Sequence, residues 1–152
     1  GCLNTCSFCK TKQARGHLFS YSVESIVANA KKAIERGVKE IYLTSQDTGC
    51  YGFDIGVTLC VLLREILKIE GDYKIRIGMG NPNHFKKIID EILDIMKNEK
   101  RIYKFLHIPL QAGSNRILDE MRRMYKLKEY REIISKAKIA IPDITIANDI
   151  IV

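Results

Sequence analysis

The sequence predicts an α/β fold built on parallel strands, and three observations predict it. Stretches with helical periodicity alternate with short β-branched stretches along most of the 152 residues. All three prolines, Pro82, Pro109 and Pro142, fall at strand ends or between elements. Beyond three predicted strands lie segments rich in small and amide residues: SQDTG (45–49), GNPNH (80–84) and PLQAGS (109–114). Alternating βα units build parallel sheets covered on both faces, as an α/β barrel or a doubly wound sheet. In such folds ligands gather at the carboxyl ends of the strands, where these segments would stand.

Residues 1 to about 20 lack periodicity and read as a loop. Ser22 is placed to cap a helix over 22–37, whose Val23, Ile26, Val27, Ala30 and Ile34 share one face and which Gly37 stops. VKEIYLTS (38–45) alternates and reads as a strand. A helix over 58–71 ends at Gly71, and YKIRIGM (73–79) follows as a strand. HFKKIIDEILDIMKN (84–98) reads as a helix with Asn83 as its cap, and IYKFLHI (102–108) as a strand. Ser114 caps SNRILDEMRRM, a further helix covers 127–140, and DITIANDIIV (143–152) is the fourth strand.

Composition narrows the function classes. Hydrophobic residues make up 46% and charged residues 28%, ordinary for a globular protein, and no apolar run reaches membrane-spanning length. The net charge of +7 favours polyanions such as RNA, although a chain rich in Lys, Ile and Glu is also what hot environments select. Five cysteines, an odd number, with no apolar leader, argue against a disulfide framework and for metal or redox use. Cys60 lies in an apolar stretch and reads as a buried hydrophobe. Cys50, in DTGCYG, reads as a loop residue and an inert thiol.

The remaining three cysteines open the chain: Cys2, Cys6 and Cys9, spaced C-x3-C-x2-C. Zinc is one reading, with His17 completing a Cys3His set, but no second C-x2-C or C-x-x-H pair exists, and His84 and His107 are far along the chain. An iron–sulfur cluster is the other. Such clusters normally take four thiolates, so three would leave one iron open to a ligand.

The cysteine spacing, with Phe8 just before the last cysteine, resembles the signature of radical S-adenosylmethionine (SAM) enzymes. GCLNTCSFC, the ARG at 14–16, YLTSQDTGCYG, RIGMGNPNH, KFLHIPLQAGSNRIL, MRRMY and PDITIANDIIV together resemble the MiaB-like tRNA methylthiotransferases. GMGNP and SQDTG look like the archaeal and eukaryotic branch, which acts on N6-threonylcarbamoyladenosine. The resemblance implies a partial, open (β/α) barrel of the radical SAM type, here incomplete, with about four parallel strands and covering helices. It implies methylthiolation of C2 of that nucleoside at position 37 of tRNA, a [4Fe–4S] cluster, SAM cleaved to a 5′-deoxyadenosyl radical, and an electron donor protein.

Residue by residue, the resemblance makes Cys2, Cys6 and Cys9 the cluster ligands. Phe8 matches an aromatic near the adenine, or else packs under the loop. Ser45, Gln46 and Asp47 fall where the SAM amino group binds, with Asp47 as counter-charge or as the cap of a turn before Gly49. Gln111 and Ser114 fall on the fourth-strand loop that meets the cofactor. Of Arg122 and Arg123, read as following Met121 on a helix, Arg123 is matched to the SAM carboxylate and Arg122 to the surface or an RNA phosphate. Arg15 orders the cysteine loop or meets substrate, and Asp149 at a strand end is a polar-pocket candidate. The 152 residues are expected to be a fragment of the radical SAM core. Its first strand, its last strand or strands, an N-terminal domain with a second cluster and a C-terminal RNA-binding domain would lie outside it, and the compartment is expected to be the cytoplasm. A zinc-stabilised basic RNA-binding module, and a radical enzyme acting on isopentenyladenosine tRNA or a ribosomal protein, are the alternatives.

Overall fold

The computed structural model describes residues 1–152. Its elements alternate as the periodicity predicts, with shorter bounds. They are α1 (Thr11–Arg15), α2 (Val23–Glu35), β1 (Glu40–Leu43), a single 3₁₀ turn (Thr48–Cys50), α3 (Leu59–Leu67), β2 (Lys74–Ile77), α4 (Pro82–Phe85), α5 (Ile89–Asn98), β3 (Phe105–His107), α6 (Asn115–Glu120), α7 (Leu127–Ala140) and β4 (Thr145–Ala147).

All strand pairing is parallel. β1 pairs with β2 in the register Glu40↔Lys74 to Leu43↔Ile77, and β3 pairs with β4 from Phe105↔Thr145 to His107↔Ala147. Between the two pairs the ladder narrows to a parallel bridge, Ile75↔Ile102, and a bond from the Gly80 N–H to the His107 carbonyl at 3.0 Å. The four strands form a partial β/α arrangement, two pairs joined by this seam. No helix is long and apolar enough to cross a membrane.

Period-two alternation decides which strand face is covered. Ile75, Ile77 and Leu106 point into a core of 27 buried residues shared with α3, α5 and α7. On the opposite face Arg76 lies between the rings of Tyr42 (5.3 Å) and Phe105 (4.4 Å). Tyr73 and Arg101 finish α3: the Tyr73 hydroxyl donates to the Ile66 and Ile69 carbonyls, and Arg101 donates to those of Leu67 and Ile69. The Leu67 carbonyl, on the last residue of α3, is one that a helix end leaves without an intrahelical partner, whereas that of Ile66 already accepts from the Ile69 N–H at 3.0 Å.

Five expectations are corrected. The opening segment is not all loop, since residues 11–15 form a helical turn. The predicted helix over 84–98 is two helices. Asn81, not Asn83, is the cap, its Oδ1 accepting from the Asn83 N–H at 3.0 Å, and Pro82 takes the first helical position, where its missing N–H costs nothing. The 114–124 helix stops at Glu120 because Arg122 adopts a left-handed φ of 55°. Ser114 stands at the N-cap position of α6, but its side chain makes no capping bond.

Candidate cofactor site at the strand ends

The cysteine loop is fastened at both ends. The Cys2 N–H donates to the Gly16 carbonyl at 3.3 Å, and Lys12 Nζ donates to the Cys2 carbonyl at 2.8 Å. The Cys9 N–H closes the loop on the Cys6 carbonyl at 3.2 Å. At the far side Ser7 binds the end of α6: its N–H donates to the Met121 carbonyl at 3.1 Å and its Oγ to that of Glu120 at 2.8 Å. Cys2, Cys6 and Cys9 all line one cavity.

Strand-end segments build the rest of the cavity. Gln46 and Asp47 come from the turn after β1, Met79 and Asn81 from the turn after β2, and Pro109 and Gln111 from the turn after β3. Asp47 is the hub. Its Oδ1 accepts from the Gly49 and Asn81 N–H groups at 3.0 and 2.9 Å, and its Oδ2 lies 2.6 Å from His84 Nδ1. At 3% exposure, such a carboxylate requires these partners. The approach of the turns after β1 and β2 depends on Gly49, where a Cβ would sit 2.6 Å from the Phe85 ring. Gln111 holds a φ of 73°, unusual for a side-chain-bearing residue, and so faces the cavity from an irregular backbone.

Asp47, Cys50 and His84 bring three metal-ligating atoms within 4.8 Å of one another. Both Asp47 oxygens are engaged in the bonds just described, and the Cys50 thiol donates to the Asp47 carbonyl at 3.3 Å. The cluster is a closed hydrogen-bond network that fixes the turn. Burial, with the Asp47 charge behind it, pushes the Cys50 thiol up to about 12, and burial does the same to Cys60. Both are inert thiols. Burial also raises Cys2, whose thiol still opens onto the cavity.

Of the residues singled out from sequence, Cys2, Cys6, Cys9, Phe8, Gln46, Asp47, Gln111 and Arg123 share this cavity. Ser45 does not line it; its Oγ accepts from the Asp47 N–H at 3.1 Å. Ser114 also stands outside, at the start of α6. Arg15 is exposed in the last turn of α1, and Arg122 is exposed at the left-handed turn, off the helix where sequence placed it. Asp149 lies past β4, exposed, with its Oδ2 2.8 Å from His107 Nε2, and it does not line the cavity. Asn4, Thr11, Lys12, Met79, Asn81 and Pro109 were missed. Asn81 was the most legible of these, since an Asn-Pro pair after a strand marks a turn at the ligand-binding rim.

The three thiols fit an iron–sulfur group. All are free, all open to one cavity, and two already receive N–H donors, as cluster sulfurs do: Thr11 N–H to Cys9 Sγ at 3.4 Å and Arg123 Nη1 to Cys6 Sγ at 3.2 Å. His17, the fourth ligand a zinc reading needs, does not line the cavity.

Comparison with known sequences agrees with this chemistry. The family model for the Radical SAM superfamily matches residues 1–152. The chain is 52% identical over 152 residues to the "Probable threonylcarbamoyladenosine tRNA methylthiotransferase" of Pyrococcus horikoshii, covering 100% of this chain and 36% of that protein. It is 49% identical over 153 residues to the protein of the same name from Archaeoglobus fulgidus, with 100% and 36% covered. To the Homo sapiens "Threonylcarbamoyladenosine tRNA methylthiotransferase" it is 45% identical over 153 residues, with 99% and 26% covered. The chain thus spans about a third or less of the length of these relatives.

Proposed function

The chain belongs to the Radical SAM superfamily, and on that premise we propose that it is the SAM-binding core of an enzyme that methylthiolates N6-threonylcarbamoyladenosine in tRNA. The observation that carries this reading is the meeting of Cys2, Cys6 and Cys9 with Gln46, Asp47, Gln111 and Arg123 around one cavity at the strand ends. The names of its relatives supply the substrate.

In this reading the three thiolates hold a [4Fe–4S] cluster. When bound and reduced, such a group supplies one electron to cleave the sulfonium of SAM. The protein's own residues bind and orient. Gln46 offers an amide acceptor to the cofactor's ammonium, and Asp47, fixed by Gly49, Asn81 and His84, supplies a negative charge that cannot swing away. Gln111 faces the same space from the third strand end. Phe8 offers a ring face for adenine at the mouth. Exposed Lys10, Arg15 and Arg122 lie on or beside the cysteine loop and suit RNA phosphates, in keeping with the net charge of +7. Residues 1–152 form the core domain. The sulfur chemistry and most of the tRNA grip are assigned to other parts of the whole protein, which takes electrons from a donor protein and works in the cytoplasm.

The test is anaerobic reconstitution of the full-length protein with iron and sulfide, followed by low-temperature EPR with and without SAM. The expected result is a reduced-cluster signal that changes when SAM is added, deoxyadenosine formation that Cys6→Ala abolishes, and methylthiolated nucleoside in tRNA. Stoichiometric zinc without iron uptake would overturn the reading in favour of a basic binding module. A normal cluster with tRNA unmodified would overturn the substrate alone.

A further inference from the structure

We propose that Arg123 is a positioning residue for the cysteine loop: delivered by the left-handed turn at Arg122, its guanidinium donates to Cys6 Sγ and raises the reduction potential of the cluster held there. The inference rests on reading the cavity as an iron–sulfur site. It moves Arg123 from the cofactor carboxylate, where the sequence resemblance places it, to a cysteine sulfur.

Three sets of contacts converge on this role. First, the end of α6 and the cysteine loop are one unit, because Ser7 satisfies the last free carbonyls of the helix, those of Glu120 and Met121. Second, the backbone turns sharply there. The Arg122 N–H donates to the Asp119 carbonyl at 2.9 Å and the Arg123 N–H to that of Leu118 at 2.8 Å, with Arg122 left-handed. This puts Arg123 beside the loop that Ser7 has docked. Third, the side chain is braced from behind. Its guanidinium lies 5.2 Å from the centroid of the Tyr125 ring, and its Nε donates to the Tyr125 hydroxyl at 3.3 Å. Tyr125 is 2% exposed, and its own hydroxyl donates to the Leu110 carbonyl at 2.6 Å. The brace leaves Nη1 directed at Cys6 Sγ, 3.2 Å away.

The electrostatic consequence follows from charge. A one-electron reduction adds negative charge that spreads onto the ligand sulfurs. A fixed cation and an N–H donor at one of those sulfurs stabilise the reduced state more than the oxidised state. Arginine suits the position because it keeps its charge when half-buried and its planar group can bond Tyr125 and Cys6 together.

The experiment is a redox titration of the reconstituted full-length protein, poised with dithionite through mediators and read by EPR. Arg123→Gln and Tyr125→Phe are titrated beside the wild type, and the SAM dissociation constant is measured for each. Arg123→Gln should keep its iron and shift the reduction equilibrium about tenfold toward the oxidised form, about 59 mV for a one-electron couple. Its SAM affinity should stay near that of the wild type, and Tyr125→Phe should shift the same way by less. A wild-type midpoint in Arg123→Gln overturns the proposal, and a loss of SAM binding with it would return Arg123 to the cofactor carboxylate. If Arg123→Gln takes up no iron, the Tyr125→Phe midpoint decides: a lowered value supports the proposal and an unchanged one overturns it. A wild-type protein without iron would instead overturn the cavity reading beneath it.

Discussion

Helices α2 and α6 end in the same turn, made from different residues. After α2, the Gly37 N–H donates to the Ile34 carbonyl at 2.8 Å and the Val38 N–H to that of Ala33 at 3.1 Å, with Gly37 at a φ of 86°. After α6 the same two bonds run from Arg122 to Asp119 and from Arg123 to Leu118, with Arg122 at 55°. Glycine takes the left-handed conformation freely, whereas a residue with a Cβ pays about 1–2 kcal/mol for it. The α2 turn is therefore dictated by its own sequence. The α6 turn is held against its local preference by contacts from 113 residues away, where Ser7 binds the Glu120 carbonyl. The strained turn is the one that meets the cysteine cavity, which is where such cost is usually found.

The largest effect should come from Gly37→Val. A Cβ there would meet nothing within 4 Å, so the penalty is torsional, about 1–2 kcal/mol, read as a lower denaturation midpoint with cluster content unchanged. An unchanged midpoint would mean that the α2 turn also depends on tertiary support. Next is Ser7→Ala, which removes one bond to the α6 end at a cost of about 1 kcal/mol. The loss should appear as faster bleaching of the cluster in air and a denaturation midpoint lowered by less than that of Gly37→Val. Bleaching at the wild-type rate would show that Ser7 does not hold the loop. The smallest effect belongs to Arg122→Gly. Relief of left-handed strain is offset by the greater unfolded-state freedom of glycine, for a net gain within about 0.5 kcal/mol. The redox midpoint should not change, because Arg123 stays in place; a fallen midpoint would give the Arg122 side chain a share in tuning the cluster.

The same contrast marks what could be read beforehand. Ser22 was legible as a cap because the residue that follows starts an apolar periodic face, and its Oγ does accept from the Ser25 N–H at 3.2 Å. Ser114 carried the same local signal, yet its hydroxyl makes no cap bond, so residue type alone did not decide it. The 84–98 helix was legible as helix but not as two pieces. Its break lets α4 approach the turn after β1, so His84 meets Asp47 across 37 residues of sequence. Nothing near His84 in the chain predicts that partner. Asp149 stood in a strand-like run, but β4 stops at Ala147 and the side chain pairs with His107 instead of lining the cavity.

By itself the sequence determined the alternation of helices and strands, the parallel pairing that follows from it, and the three cysteines of one loop. Each of these depends on residue spacing, and spacing is a local property of the chain. Only the tertiary structure decided which strand-end residues reach that loop. Asp47 and Gln111 line the cavity while Ser45 and Ser114 do not, because loop backbone sets side-chain direction residue by residue. Tertiary structure also decided where α6 ends, since the contacts of Ser7 and Tyr125 outweigh the strain at Arg122 and turn Arg123 toward Cys6. These contacts join residues far apart in the chain, and their energies exist only once the elements have packed.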